Sequence, residues 1–292
     1  MYLSEILALS AATCIAVSGM LVGEVKGRVN VFRLARWQMI ASFLMTATAS
    51  VAVGGWRTLE TWQLGYLGAS SLFGIVIATT TYFAAIYTAG ARTTALLFSL
   101  ASPFALLLGY LVLGETIDIQ QGLGVFLVLA GIVLAIGMPA ATPDTPAATI
   151  PWAGIGLGVI TAIGQALGSL CARPAMAAGV EPFTAMAVRA GIAAAVFLAA
   201  TLLPIAALRE KTKVGWDVRL LALGSAFFGT GLGMSLLMAA LAHGNVGIVS
   251  TLSSMTPVMI LPMVWARTGT APPKAAWIGA AMAVCGTALI RL

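Results

Sequence analysis

The chain has 292 residues, of which 60% are hydrophobic and only 8% are charged, and its formal net charge is +6 at neutral pH. Soluble domains have roughly three times that charged fraction, so this composition leaves too little polar surface for a water-soluble fold. The lysines and arginines are scattered singly along the connecting segments, which excludes a basic nucleic-acid-binding stripe and favours contacts with membrane lipid headgroups.

Apolar segments about as long as the hydrocarbon core of a bilayer recur along the whole chain. They are apolar on all sides and lack the alternation of a barrel strand, so helices are predicted. The first segment, from Tyr2 to Val22, follows no basic residue and no convincing cleavage site, so we expect it to remain as the first span. The predicted spans cover roughly residues 3–22, 32–52, 64–88, 92–113, 119–137, 152–172, 184–204, 218–242, 246–266 and 272–290.

Residues 138–151 contain four prolines and are predicted to form an extended linker. This linker separates two halves, residues 1–137 and 152–292, that align with each other. Arg36 corresponds to Arg189 at an offset of 153 positions. Pro103 corresponds to Pro257 at an offset of 154 positions. Matches of arginine, serine and proline in the same order indicate a duplicated five-helix unit.

Five spans per unit is an odd number, so the second unit enters the membrane in the opposite direction to the first. The sequence therefore predicts an all-α polytopic membrane protein with ten transmembrane helices, arranged as two inverted five-helix repeats around a central cavity. Inverted repeats of this kind are typical of proteins that work by alternating access.

The nine acidic residues all lie outside the centres of the predicted spans, which disfavours a buried catalytic carboxylate and a mid-membrane proton relay. Glu5, in the first turn of span one, is the candidate coupling acid. One histidine, His243, and three dispersed cysteines give no metal-binding pattern, and no phosphate-binding loop is present. We therefore predict no catalytic residue, no metal site and no cofactor.

Spans four and nine carry matching serine-rich segments that end in a proline. A proline frees a backbone carbonyl, and paired interruptions of this kind in two repeats point to the site of a transporter. The candidate pathway residues in these segments are Ser99, Ser102, Pro103, Ser253, Ser254, Thr256 and Pro257.

Span six has glycines spaced four apart, at Gly154 and Gly158 and again at Gly164 and Gly168, which predicts a close-packed helix. Its polar residues Thr161, Gln165 and Ser169 share one face, either towards a cavity or towards neighbouring helices. We take Gln165 and Ser169 as pathway candidates.

Tyr82, after the threonine run of span three, is a further pathway candidate on a polar and aromatic surface. Arg36 and Arg189 lie about one turn inside spans two and seven. Each can act as an interfacial anchor, with its side chain reaching the headgroups, or as a contact for an anionic substrate.

Taken together, these features resemble the EamA-type transporters of the drug/metabolite transporter superfamily over essentially the full length. The resemblance rests on Arg36 and Arg189, on the segments Gly90 to Pro103 and Gly244 to Pro257, on Gly114-Glu115, and on the glycines of span five. It implies a ten-helix fold with a central cavity and efflux of amino acids, other metabolites or drugs by alternating access. One departure is Arg267-Thr268-Gly269-Thr270, where the family usually repeats a glutamate.

The favoured hypothesis is a secondary transporter, not an enzyme. It would export a small-molecule substrate from a bacterial-type inner (plasma) membrane as a monomer or homodimer, with membrane lipid around it and no nucleic-acid partner. One alternative is a membrane-embedded enzyme for lipid or prenyl substrates, which needs clustered acids or histidines. Another is a non-transporting membrane scaffold. Orientation stays open, because the family favours an inside N-terminus whereas ten basic loop residues against three favour the opposite.

Overall fold

The computed structural model describes residues 3–113, 118–137, 152–202, 214–243, 249, 252–253, 255–269 and 271–289, and within these ranges the chain forms helices and no strand. The predicted linker at 138–151 lies outside the described residues. The elements are α1 (Leu3–Glu24), α2 (Val31–Val53), a 3-10 turn (Gly55–Thr58), α3 (Thr61–Ser71), a first π segment (Leu72–Ile77), α4 (Ala78–Phe98), α5 (Ala101–Leu113), α6 (Ile119–Gly137), α7 (Trp152–Ala177), α8 (Pro182–Ala200), α9 (Trp216–Ala226), a second π segment (Phe227–Gly233), α10 (Met234–His243), α11 (Thr256–Thr268) and α12 (Lys274–Leu289).

Local sequence signals set several of the helix ends. The Asn30 side chain accepts a hydrogen bond from the Phe32 amide at 2.9 Å, so it caps the start of α2. Glu181 caps α8 in the same way, because its carboxylate accepts hydrogen bonds from the backbone amides of Phe183 and Thr184. Within α4, Gly90 has φ +83° and ψ 160°, a conformation that breaks the helix and that glycine adopts without strain. This break separates the predicted spans three and four.

The predicted proline interruption of span four is present. Residues 99 and 100 form a turn between α4 and α5, one turn before Pro103, which has no amide hydrogen to donate to the carbonyl of Ser99. In the second half α11 begins at Thr256, with Pro257 in its first turn. The interruptions therefore occur at corresponding places along the parts of both halves that the structure describes.

The described helices fit a protein that crosses the membrane several times, and the count of ten crossings stays a prediction. Five helical stretches are long and apolar enough to cross a bilayer: Leu3–Glu24, Thr61–Phe98, Trp152–Ala177, Pro182–Ala200 and Trp216–Ala240. The apolar helices α5 and α11 have 13 residues each. At about 1.5 Å per residue they measure roughly 20 Å, which is shorter than the roughly 30 Å hydrocarbon core.

Corresponding helices of the two halves make corresponding contacts. α2 packs on α8, and α6 packs on α12, so each of these pairs joins corresponding helices. α4 packs on α7, and α10 packs on α1. In these two pairs α10 corresponds to α4, and α1 corresponds to α7. The pairs α5 with α7 and α11 with α1 are related in the same way. This arrangement fits a two-repeat architecture.

The glycine face predicted on α7 is confirmed, because it forms the contact with the α3 to α4 region of the first half. A Cβ atom at Gly158 would meet Leu97, and one at Gly164 would lie 2.9 Å from the Phe73 carbonyl oxygen. The tightest approach is between Gly168 and Gly74, whose backbones touch. The missing side chains therefore allow the two halves to meet backbone to backbone.

Two alanine substitutions on α7 test this contact. Gly168→Ala places a methyl group against the backbone of Gly74, and we expect overpacking to lower the free energy of unfolding by about 1 to 3 kcal/mol. Gly156→Ala is the matched control, because a Cβ there meets nothing within 4 Å and brings the same gain in helix propensity. Thermal unfolding of both purified variants in detergent measures the difference, and equal midpoints would contradict the packing account.

Candidate functional site

A narrow cavity lies between the two halves, where α1, α2 and α7 meet both π segments. The volume open to the centres of water molecules is about 70 Å³. Most of its wall is apolar, with Phe83 and Phe98 among the lining residues. Its polar lining residues are Ser18, Gln38, Thr79, Tyr82, Thr161, Gln165 and Thr230.

Both π segments contribute to the wall of this cavity. The first brings Gly74 and Ile75 to it, and the second brings Gly229 and Thr230. A π-helical turn widens the helix and loosens its backbone hydrogen bonding, and such turns are frequent at functional sites. Here the two turns lie at corresponding places in the repeats, on walls that the two halves contribute separately.

The π segments were not predicted, and the sequence marks only that their positions correspond in the two halves. Ser70, Phe73 and Gly74 recur as Ser225, Phe228 and Gly229 at a constant offset of 155 positions. A π turn contains one residue more than an α turn, and hydropathy does not register one added residue in an apolar helix. The repeated serine, phenylalanine and glycine spacing shows that the two segments correspond, and it does not identify a π turn.

A second and smaller cavity of about 30 Å³ adjoins the first and shares Ile15, Phe98 and Gln165 with it. Its wall includes Ser102, Ser169 and Ser253. The structure thus brings five of the predicted candidates around two adjoining cavities: Tyr82, Gln165, Ser102, Ser169 and Ser253. Gln165 is the polar side chain that belongs to both.

Tyr82 lies in this region with its hydroxyl group buried and without a hydrogen-bond partner among the described residues. Its ring packs at 6.0 Å from that of Phe98 and at 6.1 Å from that of Phe83. A Cβ atom at Gly19 of α1 would lie 2.8 Å from the tyrosine oxygen, so a glycine there makes room for the hydroxyl group. A buried donor without a partner is a group that a bound solute can satisfy.

Hydrogen bonds occupy some of the polar groups around the cavity. The hydroxyl of Thr161 lies 2.7 Å from that of Thr81, which realises the predicted interhelical alternative for this residue. Gln38, which the sequence analysis overlooked, donates to the hydroxyl of Ser225. Ser18 donates to the carbonyl of the same Ser225 at 2.9 Å, so these bonds join α1 and α2 to α9.

The remaining candidates of span four do not line either cavity. Ser99 is buried, and its hydroxyl has no hydrogen-bond partner within the described ranges. Pro103 is half-buried. Ser99 lies in the turn that interrupts the helix and Pro103 lies in the first turn of α5, and their part in the pathway stays a prediction.

The candidates of span nine are described only in part. Thr256 is buried and donates to the carbonyl of Ser253 at 2.9 Å, a bond that closes the turn before α11. Ser254 lies outside the described residues, and of Pro257 the structure describes the backbone alone. Their roles in the pathway stay predictions.

The two corresponding arginines occupy different environments. Arg36 is half-buried near the start of α2, as an anchor would be. Arg189 is completely buried, with 0% exposure, so the protein itself encloses its side chain. The side chain of Glu5 is half-buried in the first turn of α1 and is not part of either cavity wall.

Two ion pairs join the halves at the end of α1. Arg267 donates to both carboxylate oxygens of Glu24, at 2.8 and 3.2 Å. Arg28 pairs with Asp217 at the start of α9. Arg267 stands where the resembling family usually repeats a glutamate, and here it neutralises a glutamate of the first half. Among the described residues, no group of histidine, cysteine, aspartate or glutamate is placed to hold a metal ion.

An all-helical membrane bundle with a cavity between similar halves is the architecture of a small-solute transporter. The sequence profile of the EamA-like transporter family matches residues 3–137 and 152–292, and the chain belongs to this family. A crystal structure titled "Crystal structure of protein" superposes with a TM-score of 0.73 at 19% identity, covering 98% of this chain and 95% of the other, which shows a shared fold. No curated protein matches the sequence.

Thiol labelling tests whether the cavities are reached by water. In a background with the native cysteines replaced by alanine, we expect Ser102→Cys and Ser169→Cys to react with a water-soluble thiosulfonate, because the reactive thiolate forms in water. Val133→Cys on α6 is the control, since Val133 is 71% exposed on the outer surface and would face lipid. Labelling of the control alone would contradict the assignment of the pathway.

Proposed function

We propose that this member of the EamA-like transporter family exports a small organic metabolite or drug by alternating access, through the two adjoining cavities between its halves. The proposal rests on the pair of π segments at corresponding places in the repeats, both of which line one cavity. Tyr82 lines the same cavity, and its hydroxyl has no hydrogen-bond partner within the described ranges. A polar and aromatic lining at a repeat interface suits an amphipathic solute.

The size of the cavity supports a mechanism that includes a rearrangement. A volume of about 70 Å³ holds a few water molecules, whereas ligand sites typically measure about 300 to 1,000 Å³. Binding a metabolite therefore requires the cavity to widen, and the proposed movement separates the first π segment and α4 from α7. The bare contact between Gly74 and Gly168 suits such a movement, because no interlocking side chains have to be withdrawn.

The ion pairs at the end of α1 suit a gate that opens in each cycle. Glu24 and Arg267 have side-chain exposures of 36% and 65%, and exposed pairs contribute little to stability. Breaking such a pair is therefore inexpensive, while the pair still orients the ends of α1 and α11. Glu5 stays the candidate coupling acid, and an inner-membrane location stays part of this proposal.

Reconstitution tests the function. Proteoliposomes loaded with one unlabelled solute at a time from a broad metabolite and drug panel should show counterflow of the labelled solute, and deletion of the gene should sensitise cells to it. Gln165→Leu, which removes the polar group common to both cavities, should lower the rate at least about tenfold. Ile160→Ala on the outer face of α7 should keep the rate. Inert liposomes across the whole panel would refute the proposal.

A charge exchange tests the gate. We expect Glu24→Arg and Arg267→Glu, made singly, to change the transport rate several-fold, since each places two like charges at the junction. The double variant rebuilds the pair in reverse and should recover most of the wild-type rate. If the double variant behaves as the sum of the two single variants, the pair has no part in gating.

A further inference from the structure

Arg189 stands apart from the other basic residues because it is buried without an anionic partner in the described part of the chain. Its relative exposure is 0%. Among the described residues the Nε and Nη2 atoms have no hydrogen-bond partner, and Nη1 reaches the sulfur atoms of Met186 and Met238 at 3.3 and 3.5 Å. A thioether sulfur is a weak acceptor and carries no charge.

An unpaired guanidinium in this position is expensive to maintain. Buried charges in proteins are normally paired and hydrogen-bonded, and ionisable residues at membrane depth are costly and characteristically functional. Packing alone does not require a charge between two methionines. The guanidinium of Arg189 can therefore bind an anion, because it is planar and has hydrogen-bond donors that no described residue uses.

The Nη2 atom of Arg189 lies next to a residue that lines the cavity. A Cβ atom at Gly74 would lie 2.9 Å from Nη2 of Arg189 and 3.0 Å from Cα of Gly168. Gly74 itself lines the larger cavity. Because Gly74 has no side chain, the guanidinium of Arg189 lies close to the cavity, with only Gly74 between them.

We propose that the transported solute carries an anionic group, such as a carboxylate or sulfonate, that pairs with Arg189 when the first π segment moves away from α7. This inference rests on the proposed transport function and specifies its substrate class. The rest of the solute is an apolar or aromatic body, because Tyr82, Phe83 and Phe98 line the same cavity. Arg36, the corresponding residue of the first half, is half-buried and takes no part.

Matched anionic and neutral solutes test the substrate class. Counterflow and thermal stabilisation are measured for acetate with acetamide, benzoate with benzamide and benzenesulfonate, and indole-3-acetate with its amide. For at least one pair we expect the anion to exceed its amide by about tenfold, since a charged hydrogen-bonded pair is lost with the amide. Exchange of neutral or cationic solutes alone would overturn this inference and leave the proposed function intact, whereas no exchange of any solute would refute the function itself.

Three variants assign the effect to Arg189. Arg189→Met should abolish the preference for the anion and raise the unfolding midpoint of the solute-free protein, because it replaces an unpaired charge by an apolar side chain of similar length. Arg189→Lys should keep a weakened preference, and Arg36→Gln should leave it unchanged. A lowered midpoint with the anion preference retained would show that Arg189 is structural. If Arg189→Met does not fold, the preference measured for the lysine variant decides, and an undiminished preference there contradicts bidentate pairing.

Discussion

The backbone contact between the first π segment and α7 is the constraint on which the rest of the structure depends. Gly74 and Gly168 touch without side chains between them, so the two halves meet backbone to backbone at this point. Ser70 strengthens the contact by donating to the carbonyl of Gly168 at 2.6 Å. This approach places α4 against α7, and it brings Thr79 and Tyr82 of α4 and Thr161 and Gln165 of α7 to the wall of one cavity. The site is therefore a consequence of the packing.

Lipid on the outside explains why the polar groups gather at this contact. Water is absent from the hydrocarbon region, so serine and threonine hydroxyls turn to backbone carbonyls of their own or a neighbouring helix. Ser71 donates to the carbonyl of Arg189, and Ser18 donates to that of Ser225. The Tyr82 hydroxyl and Arg189 are exceptions, because they lack hydrogen-bond partners for buried polar atoms among the described residues. Such groups are candidates for contact with a bound solute.

Much of this fold could be predicted from composition and spacing, because helix formation in lipid follows directly from apolar length. The glycine face of α7 and the interruption before Pro103 were also readable, since each depends on a local property of the chain. The burial of Arg189 was not readable. It depends on the approach of Gly74 and Met238 from elements distant in sequence, and the corresponding Arg36 lacks these neighbours. Identical residues at corresponding places in two repeats predict similar backbone positions. The neighbours of each side chain, however, depend on the half in which it lies.

That difference between the halves has a consequence for how a solute is oriented. The helix pairs α4–α7 and α1–α10 correspond under exchange of the repeats, yet their contributions to the cavity differ. The first pair presents hydroxyl and amide groups such as Tyr82 and Gln165, with Arg189 behind its glycine contact. The second presents Ile15 and Met234, and the hydroxyl of Ser18 is already bonded. A symmetric scaffold can open to either side with similar energy, while a chemically one-sided cavity holds an amphipathic solute in one orientation. Under the proposed function, the duplication would serve the movement, and the divergence of the two halves would serve recognition of the solute.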